Sequence, residues 1–173
     1  MFVLYFGIFV IHANLTSIFL IIPKLLIHTN DFIFHSIKFY FPMLSLSIFL
    51  SIPVFLLEKN FKCKYKIHIY MFLFFFSHLF FLFFHNSYFY LFISMLFFFI
   101  IFNILEANFP SSVSKLSYKK IKGTTLGIFS CFQFMGIFFG GLISGFINYS
   151  YGFYFVILFC VILIILWFFI NIL

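Results

Sequence analysis

The chain has 173 residues, of which 66% are hydrophobic and only 8% are charged, and its formal net charge is +7. An average soluble domain carries about 25% charged residues, so this composition excludes a water-soluble globular fold and indicates a membrane protein. The lysines lie in short gaps between apolar segments and form no basic face with interleaved aromatic residues, which excludes nucleic acid as a partner.

Six apolar segments qualify as transmembrane helices, because an apolar helix of about 20 residues satisfies its backbone hydrogen bonds inside the bilayer. They cover residues 2–27, 39–57, 67–84, 88–109, 124–147 and 153–172. The gaps between them are short, which favours antiparallel neighbours. We therefore expect an all-α membrane protein in which residues 1–173 form a single domain of six helices.

Lysine placement predicts the orientation. The second and fourth gaps hold eight lysines: Lys59, Lys62, Lys64, Lys66, Lys115, Lys119, Lys120 and Lys122. On the other side lies Lys38, with Lys24 near the end of the first helix. Because cytoplasmic loops carry an excess of lysine, we expect these two gaps and both termini in the cytoplasm. We expect a multi-pass protein of the inner (plasma) membrane.

Polar side chains distinguish the six helices. The first, second, fourth and fifth carry polar or helix-disturbing residues, whereas the third and sixth are nearly plain. A helix that is apolar all round can face lipid, and one with polar residues at depth needs partners or a wet cavity. The third member of each triplet is then peripheral, which is the 3+3 pattern of inverted-repeat transporters.

The first helix carries His12 and Asn14 at a depth near the membrane midplane. Histidine is the side chain whose charge changes most readily near neutral pH. His12 either takes up protons or is a neutral donor held by a neighbouring side chain.

The fourth helix carries Glu106 with Asn103 and Asn108 on either side of it. Counted from Tyr88, Glu106 lies about 27 Å along the helix, close to the edge of a hydrocarbon core about 30 Å thick. It is either a proton-carrying carboxylate or an interfacial carboxylate paired with a loop lysine. Pro110 marks the end or a break of this helix.

The fifth helix is rich in glycine and holds one amide side chain, Gln133, near the midplane. Its glycines occur in pairs four residues apart: Gly123 and Gly127, Gly136 and Gly140, Gly141 and Gly145. This spacing lets another helix approach closely, and it predicts either helix packing or a groove that moves during transport. Gln133 either joins neighbouring helices or contacts a substrate.

The sequence contains no arrangement of residues that is typical of an enzyme active site. The acidic residues are Asp31, Glu58 and Glu106. They form neither a nucleophile elbow nor a metal-binding pair on one helix face, and no phosphate-binding glycine loop is present. We expect no enzymatic activity, no cofactor and no metal.

Two stretches resemble a known family. FNILEANFPSSVSKL, from Phe102, followed by KGTTLGIFSCFQFMGIFFGGLISGFI, from Lys122, is similar to the tenth and eleventh helices of YajR-like transporters of the major facilitator superfamily. The matching residues are Asn103, Glu106, Ala107, Pro110, Ser111, Gly123, Thr124, Gly127, Ser130, Gln133, Phe134, Gly136, Gly140 and Gly141. The opening LYFGIFVIHANLTSIFLIIPKLL, with His12, resembles the seventh helix of that family.

This resemblance implies the C-terminal six-helix half of a proton-coupled secondary transporter of the efflux type. A small-molecule substrate would lie near the midplane between two six-helix halves. Glu106, His12 and Gln133 are the best candidates for the proton and substrate pathway, with Asn14 and Asn103 beside them.

The family has twelve helices, and the N-terminal six are missing here. The chain begins directly inside a helix, so we expect a segment to precede it. Three explanations compete: a separately encoded N-terminal half, a second copy of this chain, or a truncated gene product. The alternative function is a non-transporting remnant or a small membrane scaffold.

Overall fold

A computed structural model describes residues 1–26, 32–57, 63–84 and 88–172. Within these ranges the chain forms six α-helices. They are α1 (Phe2–Leu26), α2 (Phe32–Leu57), α3 (Cys63–Phe84), α4 (Tyr88–Leu116), α5 (Lys122–Ser150) and α6 (Phe153–Ile172), with a 3-10 turn at Lys119–Ile121 before α5.

Five segments of the described chain are long and apolar enough to cross a membrane. The segments are Phe2–Leu25, Ile37–Leu57, Phe89–Leu116, Lys119–Ser150 and Phe153–Ile172. The apolar part of α3, Ile67–Phe83, is shorter. The predicted all-α membrane class is therefore confirmed, and the sixth span stays a prediction.

Several helices extend beyond the apolar segments that predicted them. The fourth was expected to end at Phe109, and α4 instead continues through Pro110 to Leu116. Likewise α2 begins at Phe32 rather than Phe39, and α5 runs from Lys122 to Ser150. A hydropathy pattern indicates which part of a helix lies in the hydrocarbon core. Helical hydrogen bonding can continue beyond that part into polar sequence. The residues after Pro110 remain helical, although a proline removes one backbone donor and crowds the carbonyl four residues earlier.

Internal contacts divide the chain into two compact units. The first comprises Met1–Leu20 and Glu106–Leu173, and the second comprises Ile21–Leu105. The first unit thus contains most of α1, the end of α4, and α5 and α6. The second contains α2, α3 and the greater part of α4.

A buried tryptophan joins three helices of the first unit. Trp167 of α6 is fully buried, and its Nε1 donates to the carbonyl oxygen of Val3 in α1 at 3.1 Å. Its ring meets that of Phe109 in α4 edge to face, with centroids 5.7 Å apart. Gly7 leaves room for the indole, since a Cβ there would lie 2.8 Å from Trp167 Cζ2.

Two glycines bring α5 against α1. A Cβ built on Gly140 would lie 2.5 Å from the Cα of Ala13 and 2.5 Å from Thr16 Oγ1. One built on Gly136 would collide with the carbonyl oxygen of Phe9 and lie 3.0 Å from its Cα. Close backbone approach of this kind is what small residues allow between membrane helices.

The other predicted packing glycines have more space. A Cβ on Gly145 would make an ordinary contact with Leu20 Cδ1 at 3.6 Å. Around Gly123, Gly127 and Gly141, no such contact lies within 4 Å in the described part of the chain. Close packing against a helix at these three positions therefore stays a prediction, and it would involve a partner outside the described residues.

The second unit has a core of aromatic side chains. Phe39, Phe74, Phe81 and Phe98 are almost completely buried. The ring of Phe74 lies 5.2 Å from that of Phe98, and Phe39 meets Phe92 edge to face at 5.8 Å. Interlocking rings supply the close packing that holds apolar helices together in lipid, where burial of apolar surface gives no driving force.

His78 of α3 is a polar exception in this core. It is only 1% exposed, and its Nδ1 lies 2.9 Å from the carbonyl oxygen of Phe74. A carbonyl oxygen only accepts, so Nδ1 donates and Nε2 is left as an acceptor. This Nε2 has no hydrogen-bond partner among the described residues.

We expect the substitution His78→Phe to stabilise the protein by about 1 kcal/mol, because a buried polar atom without a partner carries a desolvation cost. The phenyl ring preserves the ring contacts with Phe98. The control is His78→Ala, which removes the same nitrogen but leaves a cavity and should cost about 2–4 kcal/mol. Thermal unfolding in detergent measures both, and a lower Tm for His78→Phe would contradict the assignment.

Candidate functional site

Three of the predicted side chains meet inside the first unit: His12 of α1, Glu106 of α4 and Gln133 of α5. Gln133 Nε2 lies 2.9 Å from His12 Nε2 and 3.4 Å from Glu106 Oε1. His12 Nε2 is itself 3.5 Å from Glu106 Oε1. We call these three residues the polar cluster.

The backbone of α1 fixes the role of each ring nitrogen of His12. Its Nδ1 lies 3.1 Å from the carbonyl oxygen of Ile8, one turn earlier. Because that oxygen can only accept, Nδ1 carries a hydrogen. In the neutral ring Nε2 is then an acceptor, and it receives a hydrogen bond from the amide of Gln133.

The glycines of α5 explain why Gln133 reaches α1 at all. Gly136 and Gly140 are three and seven residues after Gln133, so they lie on the same side of the helix. The two backbones approach closely at these glycines. The side chain of Gln133 lies on the same face, three residues before Gly136, and it is thereby held against His12.

Exposure differs sharply across the polar cluster. The side chain of His12 is 4% exposed, and that of Glu106 is 39% exposed. Glu106 is also the one acidic side chain within the described ranges, since Asp31 and Glu58 lie outside them. The arrangement therefore joins a partly exposed carboxylate to a buried imidazole.

Two hydrogen-bonding states are compatible with this geometry. With a neutral imidazole, the amide nitrogen of Gln133 donates to both His12 Nε2 and Glu106 Oε1, as observed. With a protonated imidazole, Nε2 becomes a donor, and it can pair directly with the carboxylate 3.5 Å away. The amide of Gln133 must then turn its oxygen toward His12. The cluster is thus able to hold a proton in more than one place.

The structure bears on the alternatives that the sequence left open. Glu106 contacts Gln133 and His12, and so its described partners are not loop lysines. Gln133 joins two neighbouring helices, which is the structural role considered for it. Contact between Gln133 and a substrate stays a prediction.

The two asparagines bond elsewhere. Asn14 is fully buried, and its Nδ2 donates to the carbonyl oxygen of Val10 at 2.7 Å. Its Oδ1 has no hydrogen-bond partner in the described part of the chain. In the second unit, Asn103 Nδ2 donates to Ser47 Oγ at 3.2 Å. A part for Asn14 and Asn103 in the proton or substrate pathway stays a prediction.

Sequence reasoning overlooked two contributors to the geometry. The carbonyl of Ile8 determines the tautomer of His12, and the four-residue spacing between them was the available signal. Gly7 admits the indole of Trp167, and a single glycine in an apolar helix gives no signal of such a role.

No protein-family profile matches the chain. It is 39% identical to an "Uncharacterized transporter" of Buchnera aphidicola subsp. Schizaphis graminum over 171 residues, which are 95% of this chain and 42% of that protein. A second "Uncharacterized transporter", from Buchnera aphidicola subsp. Baizongia pistaciae, is 45% identical over 73 residues, 42% of this chain and 18% of the relative.

A further match is to the "Inner membrane transport protein YajR" of Escherichia coli (strain K12). The identity is 47% over 47 residues, which are 27% of this chain and 10% of that protein. The chain thus spans less than half the length of each of these relatives. Similarity along 95% of this chain to one protein named as a transporter, and along shorter parts of it to two others, supports a membrane transporter role for this multi-pass helical protein.

Proposed function

We propose that the chain is the C-terminal, six-helix half of a secondary transporter of the major facilitator superfamily. It would couple the efflux of a small molecule to the entry of protons. Support comes from the match that covers 95% of this chain but 42% of its relative, and from the family-like residues in α4 and α5. In this proposal α3 is the sixth span, and the helices form a 3+3 inverted repeat.

The observation that carries the proposal is the polar cluster of His12, Gln133 and Glu106. Ionisable residues are costly inside a membrane and belong to proton and substrate pathways. Glu106 is partly exposed, and it is hydrogen-bonded to the amide of Gln133, which also bonds to the buried imidazole of His12. A carboxylate in this position suits a group that exchanges protons with water. Binding of substrate beside Glu106 would then alter where the proton resides.

The open glycine face of α5 supplies the second part of the proposal. Gly123, Gly127 and Gly141 have open space beside them in the described part of the chain. In the transporter this face would meet the other six helices, provided by a separately encoded N-terminal half or by a second copy. The substrate would lie between the two halves, near the polar cluster.

The proposed orientation, with both termini in the cytoplasm of an inner membrane, makes a labelling prediction. In a chain with its native cysteines replaced by serine, Tyr118→Cys should react with a membrane-impermeant maleimide only in inverted vesicles. Tyr151→Cys, in the α5–α6 turn, is the matched control and should react only in intact cells. Both tyrosines are exposed, at 81% and 64%. The reverse pattern would contradict the orientation.

A flux measurement tests the transport function. The chain, purified with any partner through a C-terminal tag, is reconstituted into liposomes with an acidic interior. Uptake is followed for labelled tetraethylammonium, sulfobenzoate and arabinose, which represent cationic, anionic and neutral solutes. We expect uptake of one of them that an uncoupler abolishes. Absence of proton-driven uptake of all three would favour the non-transporting remnant or membrane scaffold.

A further inference from the structure

The turn between α4 and α5 concentrates positive charge at one end of the first unit. Residues 115–122 include four lysines, all with exposed side chains: Lys115, Lys119, Lys120 and Lys122. No aspartate or glutamate follows Glu106 in the sequence. The acidic residue that lies closest to this turn along the chain is Glu106, nine residues before Lys115.

Hydrogen bonds hold this turn in a defined shape. Ser117 Oγ and Thr125 Oγ1 are 2.7 Å apart, which links the end of α4 to the first turns of α5. Thr125 Oγ1 also lies 2.9 Å from the carbonyl oxygen of Lys122, to which it donates. Between them, the amide of Ile121 donates to the carbonyl of Tyr118 at 3.1 Å. The lysines thus project from a fixed backbone.

Apolar side chains alternate with the lysines and are also exposed. Leu116, Tyr118 and Ile121 are 63%, 81% and 48% exposed. Two segments that are long and apolar enough to cross a membrane, Phe89–Leu116 and Lys119–Ser150, meet at this turn. A surface that offers both apolar groups and lysines at the end of two spans matches the boundary between acyl chains and headgroups.

We propose that residues 115–122 bind the headgroups of anionic phospholipids, with the lysines on the phosphates and the three apolar side chains in the acyl boundary. A soluble phosphate would satisfy the charge but would leave these apolar side chains in water, so the surface fits a lipid better. The proposal requires only that the chain lies in a bilayer, and it is independent of the transport function.

Lipid selectivity at Tyr118 tests this proposal. The Tyr118→Trp chain is reconstituted in phosphatidylcholine, and fluorescence quenching by brominated phosphatidylglycerol is compared with quenching by brominated phosphatidylcholine. The unsubstituted chain provides the background from Trp167. Each surface lysine contributes about 1 kcal/mol to binding an anionic membrane, roughly fivefold in affinity. We therefore expect a clear preference for phosphatidylglycerol that weakens as salt screens the charges.

Two double variants separate the turn from overall charge. Lys119→Gln with Lys120→Gln should lower the preference roughly 25-fold, from two lysines at fivefold each. The double variant Lys24→Gln with Lys38→Gln removes the same charge elsewhere, and it should leave the preference for phosphatidylglycerol unchanged. Circular dichroism verifies that both variants are folded. Three results would overturn the proposal: equal quenching by the two lipids, an equal loss of the phosphatidylglycerol preference in both variants, or displacement of the lipid by millimolar inorganic phosphate.

Discussion

Gly140→Ala is expected to destabilise the purified chain by about 3 kcal/mol, the upper range for adding a methyl group to a tightly packed site. For a domain of this size that corresponds to a fall in Tm of roughly 6–12 °C. The new Cβ would lie 2.5 Å from the Cα of Ala13 and 2.6 Å from its carbonyl oxygen. These are backbone atoms, so relief requires α1 as a whole to move away from α5. Thermal unfolding in detergent measures the effect.

The neighbouring glycine gives a matched control. A Cβ on Gly141 meets no contact within 4 Å in the described part of the chain. Alanine favours a helix over glycine by about 1 kcal/mol, so Gly141→Ala should leave the Tm unchanged or raise it slightly. Similar losses in both variants would show that the α1–α5 contact is not specific to the face of Gly136 and Gly140.

The displacement of α1 should also affect the polar cluster. His12 is one residue before Ala13, and its Nε2 is held 2.9 Å from the amide of Gln133. An outward movement of α1 by even 1 Å would break this hydrogen bond, given its normal range of 2.7–3.2 Å for nitrogen donors. We therefore expect Gly140→Ala to lose transport together with stability.

Glu106→Gln should reduce proton-driven uptake to the level of liposomes without protein. The amide has the shape of the carboxylate and can still accept a hydrogen bond from Gln133, so the fold is preserved. It cannot take up or release a proton, and coupling to the pH gradient is therefore lost. The measurement is the uptake of whichever of the three labelled solutes the unsubstituted protein transports.

Glu58→Gln is the control for this substitution. It makes the same chemical change at a residue that the sequence places among the lysines of the second gap, away from the predicted membrane spans. Uptake should be close to that of the unsubstituted protein. A Glu106→Gln chain that transports at the original rate would remove Glu106 from the proton pathway. A Glu106→Gln chain with a lowered Tm would point instead to a structural role.

The sequence predicted which segments are helical better than where the helices end. Apolar runs such as 153–172 identify a span because lipid requires it. The end of α4 is different, because backbone hydrogen bonding continues through Pro110 into polar sequence up to Leu116. Nothing in a hydropathy pattern records that continuation.

The candidate site was predicted as separate residues rather than as a cluster. Counting from Tyr88 gave the depth of Glu106, but depth along one helix does not identify the side chains that face it from other helices. Similarly, four-residue glycine spacing occurs on two faces of α5. The spacing cannot tell which of these faces packs against α1, and the structure assigns that contact to Gly136 and Gly140.

The central claim is that Glu106, within the polar cluster, exchanges a proton with water, and carbodiimide labelling tests it without knowledge of the substrate. Dicyclohexylcarbodiimide is apolar and reacts with protonated carboxyl groups in membranes, so the adduct at Glu106 is quantified by mass spectrometry across a range of pH. We expect an adduct at Glu106 whose yield rises as the pH falls, in both the unsubstituted protein and Glu58→Gln. No adduct at any pH, or a yield that does not change with pH, would contradict it.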